Sequence, residues 1–310
     1  MRIVSLLSSA TEMLFALGLG EWVLAVSHEC DWPAEVVARP RATFSRVDSS
    51  QPSGAIDEQV KRLLAAGEPL YGIDEELIAR LRPELIVTQA QCDVCAVRYD
   101  DVVRFVGRTA ELAATRVVAL NPMSLGDVLL DVQRVADAAG AGERGREVVA
   151  ALARRVDSVR CATESLRADE RPRTAIIEWT EPMMLAGNWT PELLSLAGGV
   201  CPLTAAGRHS EYVAWEQVRA FDPEVIVVAP CGFDLERSMQ EAAGLALLPG
   251  WQDVAAVRNR RVVVVDGNAY FNRSGPRLVE SLEMLGHLLQ PERVPWPVWV
   301  DEGREPWRLA

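Results

Sequence analysis

The sequence is poor in several features that point to common partners. Its 310 residues include a single lysine, Lys61, and three histidines. Acidic residues outnumber basic residues by 44 to 32, so the formal net charge is −12. A chain with this charge repels nucleic-acid phosphates and anionic lipids, and no apolar run is long enough to cross a bilayer. We therefore expect no nucleic-acid partner and no membrane insertion.

The sequence also lacks the motifs of two large enzyme classes. It has no Walker loop, the pattern that holds nucleotide phosphates, and no Gly-x-Ser-x-Gly elbow, the pattern that exposes a nucleophilic serine. Nucleotide-dependent and serine-hydrolase functions therefore lack their usual support. We expect a protein that is not an enzyme.

The start of the chain bears on the compartment. The apolar stretch after Met1 is short, reads as a first strand and is followed by no small-residue cleavage site, unlike a secretory signal. We expect a cytoplasmic protein, or a periplasmic or extracellular one if a signal was trimmed. In the cytoplasm its six cysteines would be thiols or metal ligands and not disulfides.

The residues that are present indicate two related α/β lobes. Hydrophobic residues make up 49% of the chain and the mean hydropathy is +0.05, which suits two globular domains of ordinary size. Internal repeats support this division. Three short stretches occur twice in the same order, at residues 12–18 and 192–198, 83–87 and 223–227, and 116–118 and 261–263.

A long helical stretch separates the two sets of repeats. Apolar residues at spacings of three and four predict one helix after Ser124 and a second that runs on to Arg167, with glycines between them. We predict two Rossmann-like α/β lobes joined by this helical spine. The predicted divisions are an N-terminal lobe at 1–123, the spine at 124–170, a C-terminal lobe at 171–290 and an irregular tail at 291–310.

Unusual polar and aromatic residues follow the predicted strands of both lobes. In open α/β sheets, ligands bind beyond the carboxyl ends of the strands. The loop residues at these ends are predicted at 28–33, 89–95, 179, 188–189, 230–233 and 267–272. We expect them to line one ligand cleft between the lobes.

Five of these stretches resemble a known family. Residues 6–12, 27–33, 91–95, 229–233 and 266–271 are similar to the cobalamin-binding branch of the helical-backbone periplasmic binding proteins. The resemblance covers nearly the whole chain except the tail. It implies non-catalytic binding of a corrinoid or another metal chelate in the cleft, and an ABC transporter permease as a partner. An export signal, which such a partnership requires, is not recognisable in the sequence.

Aromatic and polar loop residues are the candidate ligand contacts. Rigid aromatic rings suit a flat macrocycle, and asparagines suit its amide-bearing rim. His28 has two interpretations, as a ligand to cobalt or as a loop residue bonded to its own backbone. Glu178 is either a carboxylate that faces the cleft or a helix-cap partner. The full candidate set is His28, Glu29, Trp32, Glu178, Trp179, Asn188, Trp189, Phe233, Asn268, Tyr270 and Phe271.

Four cysteines support an alternative hypothesis. Cys92 and Cys95 form a Cys-x-x-Cys pair, and Cys30 and Cys231 lie on neighbouring predicted loops. Thiolates at such positions suit soft metals, so the chain could instead be a cytoplasmic metalloprotein, with or without enzymatic activity, that holds zinc or an iron–sulfur cluster. A lone Cys-x-x-Cys pair is also often only two thiols in a turn.

Overall fold

The computed structural model describes residues 1–90, 96–300 and 305–309. The chain divides into two compact units. The N-terminal unit comprises Met1–Gln51, Ala55–Pro122 and Gly126–Ala151, and the C-terminal unit comprises Pro52–Gly54, Met123–Leu125 and Leu152–Ala310. Among the described helices, none is both long and apolar enough to span a membrane.

The N-terminal unit is built on a parallel sheet. Its elements are β1 (Ile3–Ser5), α1 (Ser8–Ala16), β2 (Val23–Val26), β3 (Thr43–Ser45), α2 (Ser53–Ala65), β4 (Tyr71–Ile73), α3 (Glu75–Leu81), β5 (Leu85–Gln89), α4 (Tyr99–Arg108), β6 (Arg116–Leu120) and α5 (Leu125–Ala138). The next helix, α6 (Gly142–Thr163), begins in this unit and belongs to the C-terminal unit from Leu152 onward. The strand order is β2-β1-β5-β6, with all neighbours parallel, and β3 and β4 form a separate antiparallel pair. Strand β5 is buried at every residue, as a central strand of a covered parallel sheet should be, and its last two residues, Thr88 and Gln89, are polar.

The C-terminal unit repeats this plan with additional antiparallel strands. Its elements are β7 (Thr174–Trp179), β8 (Met184–Leu185), α7 (Thr190–Leu196), β9 (Glu211–Tyr212), α8 (Trp215–Phe221), β10 (Val225–Val228), α9 (Leu235–Leu245), α10 (Ala255–Arg258), β11 (Val262–Val265), α11 (Leu278–Leu289) and β12 (Trp307–Leu309). The strand order is β12-β11-β10-β7-β8-β9. Strands β7, β10 and β11 are parallel, whereas β8, β9 and β12 pair antiparallel to their neighbours.

The predicted spine is two helices, α5 and α6, with a glycine break between them. Gly140 has φ +72°, a left-handed conformation that ends a helix and favours glycine. The glycines at 140, 142 and 145 form a Gly-x-Gly-x-x-Gly pattern, but a helix and not a strand precedes it, so the context of a dinucleotide-binding loop is absent here. The second helix ends at Thr163 and not at Arg167, because Arg167 is extended and begins a short 3-10 turn.

The tail differs from its prediction as an irregular segment. Trp307–Leu309 forms β12, which pairs antiparallel with β11. This strand was not predictable, because a three-residue segment among prolines and charges has no measurable period. Its stability comes from an open edge of β11, which only the assembled sheet provides.

Candidate ligand-binding loops

The loop after β2 in the N-terminal unit fixes the orientation of the His28 ring. The backbone N–H of His28 and its Nδ1 lie 3.0 and 2.7 Å from Oγ1 of Thr43. That hydroxyl donates its single hydrogen to Oγ of Ser27 at 3.1 Å, so it accepts from both His28 nitrogens. The neutral ring therefore carries its hydrogen on Nδ1 and a lone pair on Nε2. One of the two predicted interpretations had His28 bonded to its own backbone. The structure shows the Thr43 side chain as its partner instead.

The Nε2 atom of His28 faces a carboxylate. It lies 3.1 Å from Oε1 of Glu29, although it makes no aligned hydrogen bond within the described residues. The ring centroid of Tyr71 is 5.3 Å from that of His28 and supports its other side. Nε2 can therefore offer its lone pair to a metal ion when neutral, or pair with Glu29 when protonated.

Two other residues of this loop have opposite environments. The Trp32 side chain is 51% exposed, which is unusual for an indole. Cys30 is buried, and its sulfur lies 3.2 Å from Oγ1 of Thr11 in the core. The loop is held by Arg41, whose guanidinium donates to the carbonyl of Cys30 at 2.6 Å. This loop therefore presents Trp32 to the surface and hides Cys30.

In the C-terminal unit, Glu178 at the end of β7 is joined to the β8–β9 segment. Its Oε2 accepts a hydrogen bond of 2.7 Å from Oγ of Ser210, which in turn accepts from the backbone N–H of Gly187 at 2.9 Å. The next residue, Asn188, has φ +51° and bonds through its backbone to Arg208. Oδ1 of Asn188 is buried and has no hydrogen-bond partner among the described residues.

Four of the predicted aromatic contacts of the C-terminal unit form two pairs. Trp179 is half-buried, and its ring lies 5.3 Å from that of Phe233, which a guanidinium of Arg237 covers at 4.4 Å. Trp189 and Phe271 are 5% and 1% exposed, and the indole N–H of Trp189 donates to the carbonyl of Phe271 at 2.6 Å. Trp189 and Phe271 therefore have packing roles in this unit, and a direct ligand contact from either stays a prediction.

The loop after β11, residues 266–272, is tightly tied. Gly267 admits no side chain, because a Cβ there would lie 2.2 Å from the carbonyl oxygen of Pro230. Asn272 donates through its side chain to the carbonyls of Ala229 and Gly267 at 2.9 and 2.8 Å. Oδ1 of Asn268 accepts from Arg273 at 2.7 Å. These contacts define the conformation of the loop.

Two titratable groups of this loop are shifted by burial. Burial raises the pKa of the Tyr270 phenol to about 12, and the nearby carboxylate of Glu280 adds to this effect. Burial also raises the pKa of Asp266, whose Oδ1 accepts from the backbone N–H of Ala269 at 2.7 Å. Tyr270 is therefore neutral over the whole physiological range.

The structure gives no support to the four-cysteine metal site. Cys92 and Cys95 lie outside the described residues. Cys30 is buried in the N-terminal unit, and Cys231 is half-buried in the C-terminal unit. Within residues 1–90, 96–300 and 305–309, no group of three or more His, Cys, Asp or Glu side chains could hold a metal ion. The prediction relied on loop proximity, which sequence spacing alone cannot establish.

Several residues that shape these loops were missed from the sequence. Thr43 begins the three-residue strand β3, and Ser210 lies directly before the two-residue strand β9; both strands are too short to show a period. Ser, Thr and Asn between periodic segments are the available signal, because their side chains commonly bond to nearby backbone. That signal indicates a loop, but it does not identify the group to which each side chain bonds.

Comparison with known proteins now assigns the family. Residues 3–269 match the family described as "Periplasmic binding protein". The chain belongs to this family. Members of the periplasmic binding protein family are substrate-binding proteins of ABC transporters and not enzymes, so the predicted resemblance and the prediction of a non-catalytic protein are both confirmed.

Two sequence relatives illustrate the range of names in the family. The chain is 21% identical over 293 residues to an uncharacterized ABC transporter substrate-binding lipoprotein, YvrC, of Bacillus subtilis (strain 168), covering 94% of this chain and 80% of that protein. It is 23% identical over 288 residues to a vitamin B12-binding protein of Vibrio cholerae, covering 92% and 87%.

Solved structures confirm the fold. The periplasmic heme-binding protein RhuT from Roseiflexus sp. RS-1 aligns with a TM-score of 0.69 at 22% identity, over 94% of this chain and 98% of that one. The vitamin B12-binding protein BtuF of Vibrio cholerae aligns with a TM-score of 0.68 at 21% identity, over 94% and 96%. The predicted two-lobed α/β class with a helical backbone is therefore correct.

Proposed function

We propose that this protein binds a corrinoid as the substrate-binding protein of an ABC transporter. Family membership provides the general role, and the vitamin B12-binding relative supports the choice of ligand. The position of the ligand in a cleft between the two lobes stays a prediction.

The observation that carries the proposal is the exposed indole of Trp32. The side chain lies beyond the carboxyl end of β2, where open α/β sheets bind their ligands, and half of its surface is in contact with water. An indole offers a large rigid face at a low cost in conformational entropy, which suits the apolar face of a corrin ring. His28 lies four residues earlier in the same loop, and its buried Nε2 lies 3.1 Å from Oε1 of Glu29.

The orphan acceptor of Asn188 favours an amide-bearing ligand. A buried acceptor without a donor costs about 1–3 kcal/mol. A corrinoid carries amide N–H donors around its ring, whereas the carboxylates of a heme only accept hydrogen bonds at neutral pH. A ligand amide that reaches Oδ1 of Asn188 would remove this cost.

A heme is the second candidate. The structures of heme-binding relatives share this fold, and a neutral imidazole with a lone pair on Nε2 is a suitable axial ligand for iron as well as for cobalt.

Calorimetry and visible absorption spectra with cyanocobalamin, dicyanocobinamide and hemin test the proposal. We expect micromolar or tighter binding of a corrinoid, and a loss of about tenfold or more in Trp32→Ala, because removal of one well-placed aromatic contact costs ~1.4 kcal/mol or more. Trp22→Ala is the matched control. Trp22 is also an exposed indole of the N-terminal unit, but it precedes β2 and so lies at the opposite end of that strand.

Each other outcome of this experiment has a defined meaning. No heat and no spectral change with either corrinoid, on folded protein, would reject the proposal. Binding of hemin alone would select the second candidate. Equal losses in Trp32→Ala and Trp22→Ala would show that Trp32 is not a specific contact.

The compartment is tested separately. The transporter role and the predicted cytoplasmic location exclude each other, because an importer's binding protein collects its ligand outside the cytoplasm. Fractionation of cells that produce the protein at its native level distinguishes the two. Recovery in the exported fraction supports the transporter role, and recovery with cytoplasmic markers contradicts it.

A further inference from the structure

The C-terminal segment contacts the first residue of the 266–272 loop. We call residues 299–300 and 305–309 the C-terminal strap. Strand β12 of the strap pairs with β11, with Trp307 opposite Val265. The backbone N–H of the next loop residue, Asp266, donates to the carbonyl of Pro306 at 3.0 Å. The strap therefore fixes the point at which the loop leaves the sheet.

The strap also contacts the far end of the same loop. The rings of Tyr270 and Trp299 stack, with centroids 5.5 Å apart and planes inclined by 25°. The guanidinium carbon of Arg277 lies 5.5 Å from the Tyr270 ring. Tyr270 thus lies between an indole of the strap and a cation of the segment that leads into α11.

Trp299 is itself anchored to two helices. Its Nε1 donates to Oε2 of Glu283 in α11 at 2.7 Å. Arg155 of α6 holds the same carboxylate with two hydrogen bonds of 2.8 Å. Glu283 is mostly buried, so this paired geometry is well shielded from water. The contacts run without a break from α6 through Glu283 and Trp299 to Tyr270.

We propose that Trp299 is a positioning residue that sets the conformation of the 266–272 loop and thereby the ligand affinity of the protein. This inference rests on the proposed corrinoid function, because Tyr270 and Asn268 are candidate ligand contacts. The family match ends at residue 269, so the strap is a feature of this chain outside the matched region. Pre-organising a binding loop increases affinity because less conformational freedom is lost on binding.

Trp299→Ala and Trp299→Phe test the proposal with two measurements. Hydrogen–deuterium exchange of the 266–272 peptide reports on the loop without any ligand, and calorimetry with cyanocobalamin reports on affinity. In Trp299→Ala we expect about tenfold faster exchange at this peptide and about tenfold weaker binding, as expected for local opening of a loop. Trp299→Phe keeps a stacking ring and should restore most of both quantities.

Trp22→Ala provides a matched control in the other unit, and the remaining peptides report on overall unfolding. Unchanged exchange at 266–272 in Trp299→Ala would overturn the proposal, as would faster exchange throughout the C-terminal unit. Equal defects in Trp299→Phe and Trp299→Ala would overturn the role of the stacked ring. If the wild-type protein binds no corrinoid, the proposed function fails, while the exchange measurement still decides the role of Trp299.

Discussion

In each unit, an arginine and a glutamate join the starts of two neighbouring central strands with the same pair of hydrogen bonds. In the N-terminal unit, the backbone N–H of Arg2 donates to Oε2 of Glu84 at 2.8 Å, and the N–H of Glu84 donates to the carbonyl of Arg2 at 2.8 Å. In the C-terminal unit, Arg173 and Glu224 make the same two bonds at 2.9 and 2.7 Å. The repeated Pro-Glu motif therefore encodes a repeated structure and not only a similar composition.

The units differ at the edges of their sheets. In the N-terminal unit, β1 pairs with the parallel strand β2 over several residues. The corresponding partner in the C-terminal unit is a single bridge between Arg173 and Val200, and antiparallel strands β8 and β9 occupy the neighbouring positions. The repeat thus preserves the centre of the sheet, whereas the edges carry the segments that distinguish the units.

The candidate tryptophans show the same contrast. Trp32 in the N-terminal unit is half-exposed, while Trp189 in the C-terminal unit is buried against Phe271. Both were chosen from the sequence for the same reason, as indoles on loops after strands. Their different environments separate a candidate ligand contact from a core residue, and the following variants test that separation.

The largest effect is expected for Trp189→Ala. Removal of a buried aromatic side chain leaves a cavity and an unpaired carbonyl at Phe271, so the free energy of unfolding should fall by about 3–5 kcal/mol. Trp32→Ala should change it by less than about 0.5 kcal/mol, because Trp32 is half-exposed at the surface. Urea denaturation of the two variants measures both changes in the free energy of unfolding. Similar losses in both would show that the two tryptophans are equivalent.

The next effect concerns the antiparallel pair β8–β9 of the C-terminal unit. In the described part of the chain, the N-terminal sheet has no such pair at its edge. A Cβ at Gly187 would lie 2.5 Å from backbone atoms of Arg208 and Ser210, so Gly187→Ala should destabilise the protein by about 2 kcal/mol. Gly244→Ala in helix α9 has nothing within 4 Å and should be neutral or stabilising by up to about 1 kcal/mol. Thermal unfolding of both variants tests this. A harmless Gly187→Ala would mean that the segment moves freely.

A pH-dependent effect is expected from Asp131 in the N-terminal unit. Burial raises the pKa of this carboxyl from 3.8 to about 6, although Arg134 opposes the shift. The folded protein then binds the proton more tightly than the unfolded chain does. The free energy of unfolding should therefore decrease as pH rises from about 4 to about 6 and change little from this group above that range.

Asp131→Asn should remove this slope and stabilise the protein at pH 7 by about 1 kcal/mol, less than the full shift because Arg134 loses its partner. Asp157→Asn is the control, since that carboxylate is exposed on α6. Denaturant titrations at several pH values provide the measurement. A slope that persists in Asp131→Asn would assign it to another group.

The smallest effect is expected at the repeated arginine–glutamate hydrogen bonds. Glu84→Gln and Glu224→Gln should each lower the free energy of unfolding by about 0.5–1 kcal/mol, because each carboxylate accepts one backbone hydrogen bond but is about half exposed. Local exchange at Arg2 and Arg173 should rise equally. Unequal responses would show that these hydrogen bonds stabilise the two units to different extents.

Much of the sheet was predictable, whereas the short elements were not. The strand Val262–Val265 can be recognised in the sequence, because a buried parallel strand is a continuous run of apolar β-branched residues. The pairs β3–β4 and β8–β9 escaped prediction, because two or three residues cannot display a period. Helices α8 and α9 were also not identified, although Asp234 caps α9 in the expected way.

The sequence by itself determined the duplicated α/β plan, the two spine helices and the family, since these follow from apolar periodicity, glycine positions and motifs read along the chain. Tertiary structure alone decided which side chains are available to a ligand. The exposure of Trp32, the burial of Trp189 and the stack of Trp299 on Tyr270 all depend on residues far away in sequence. Periodicity records which face of an element is covered, but a loop side chain has no such face, so only the folded chain fixes its surroundings.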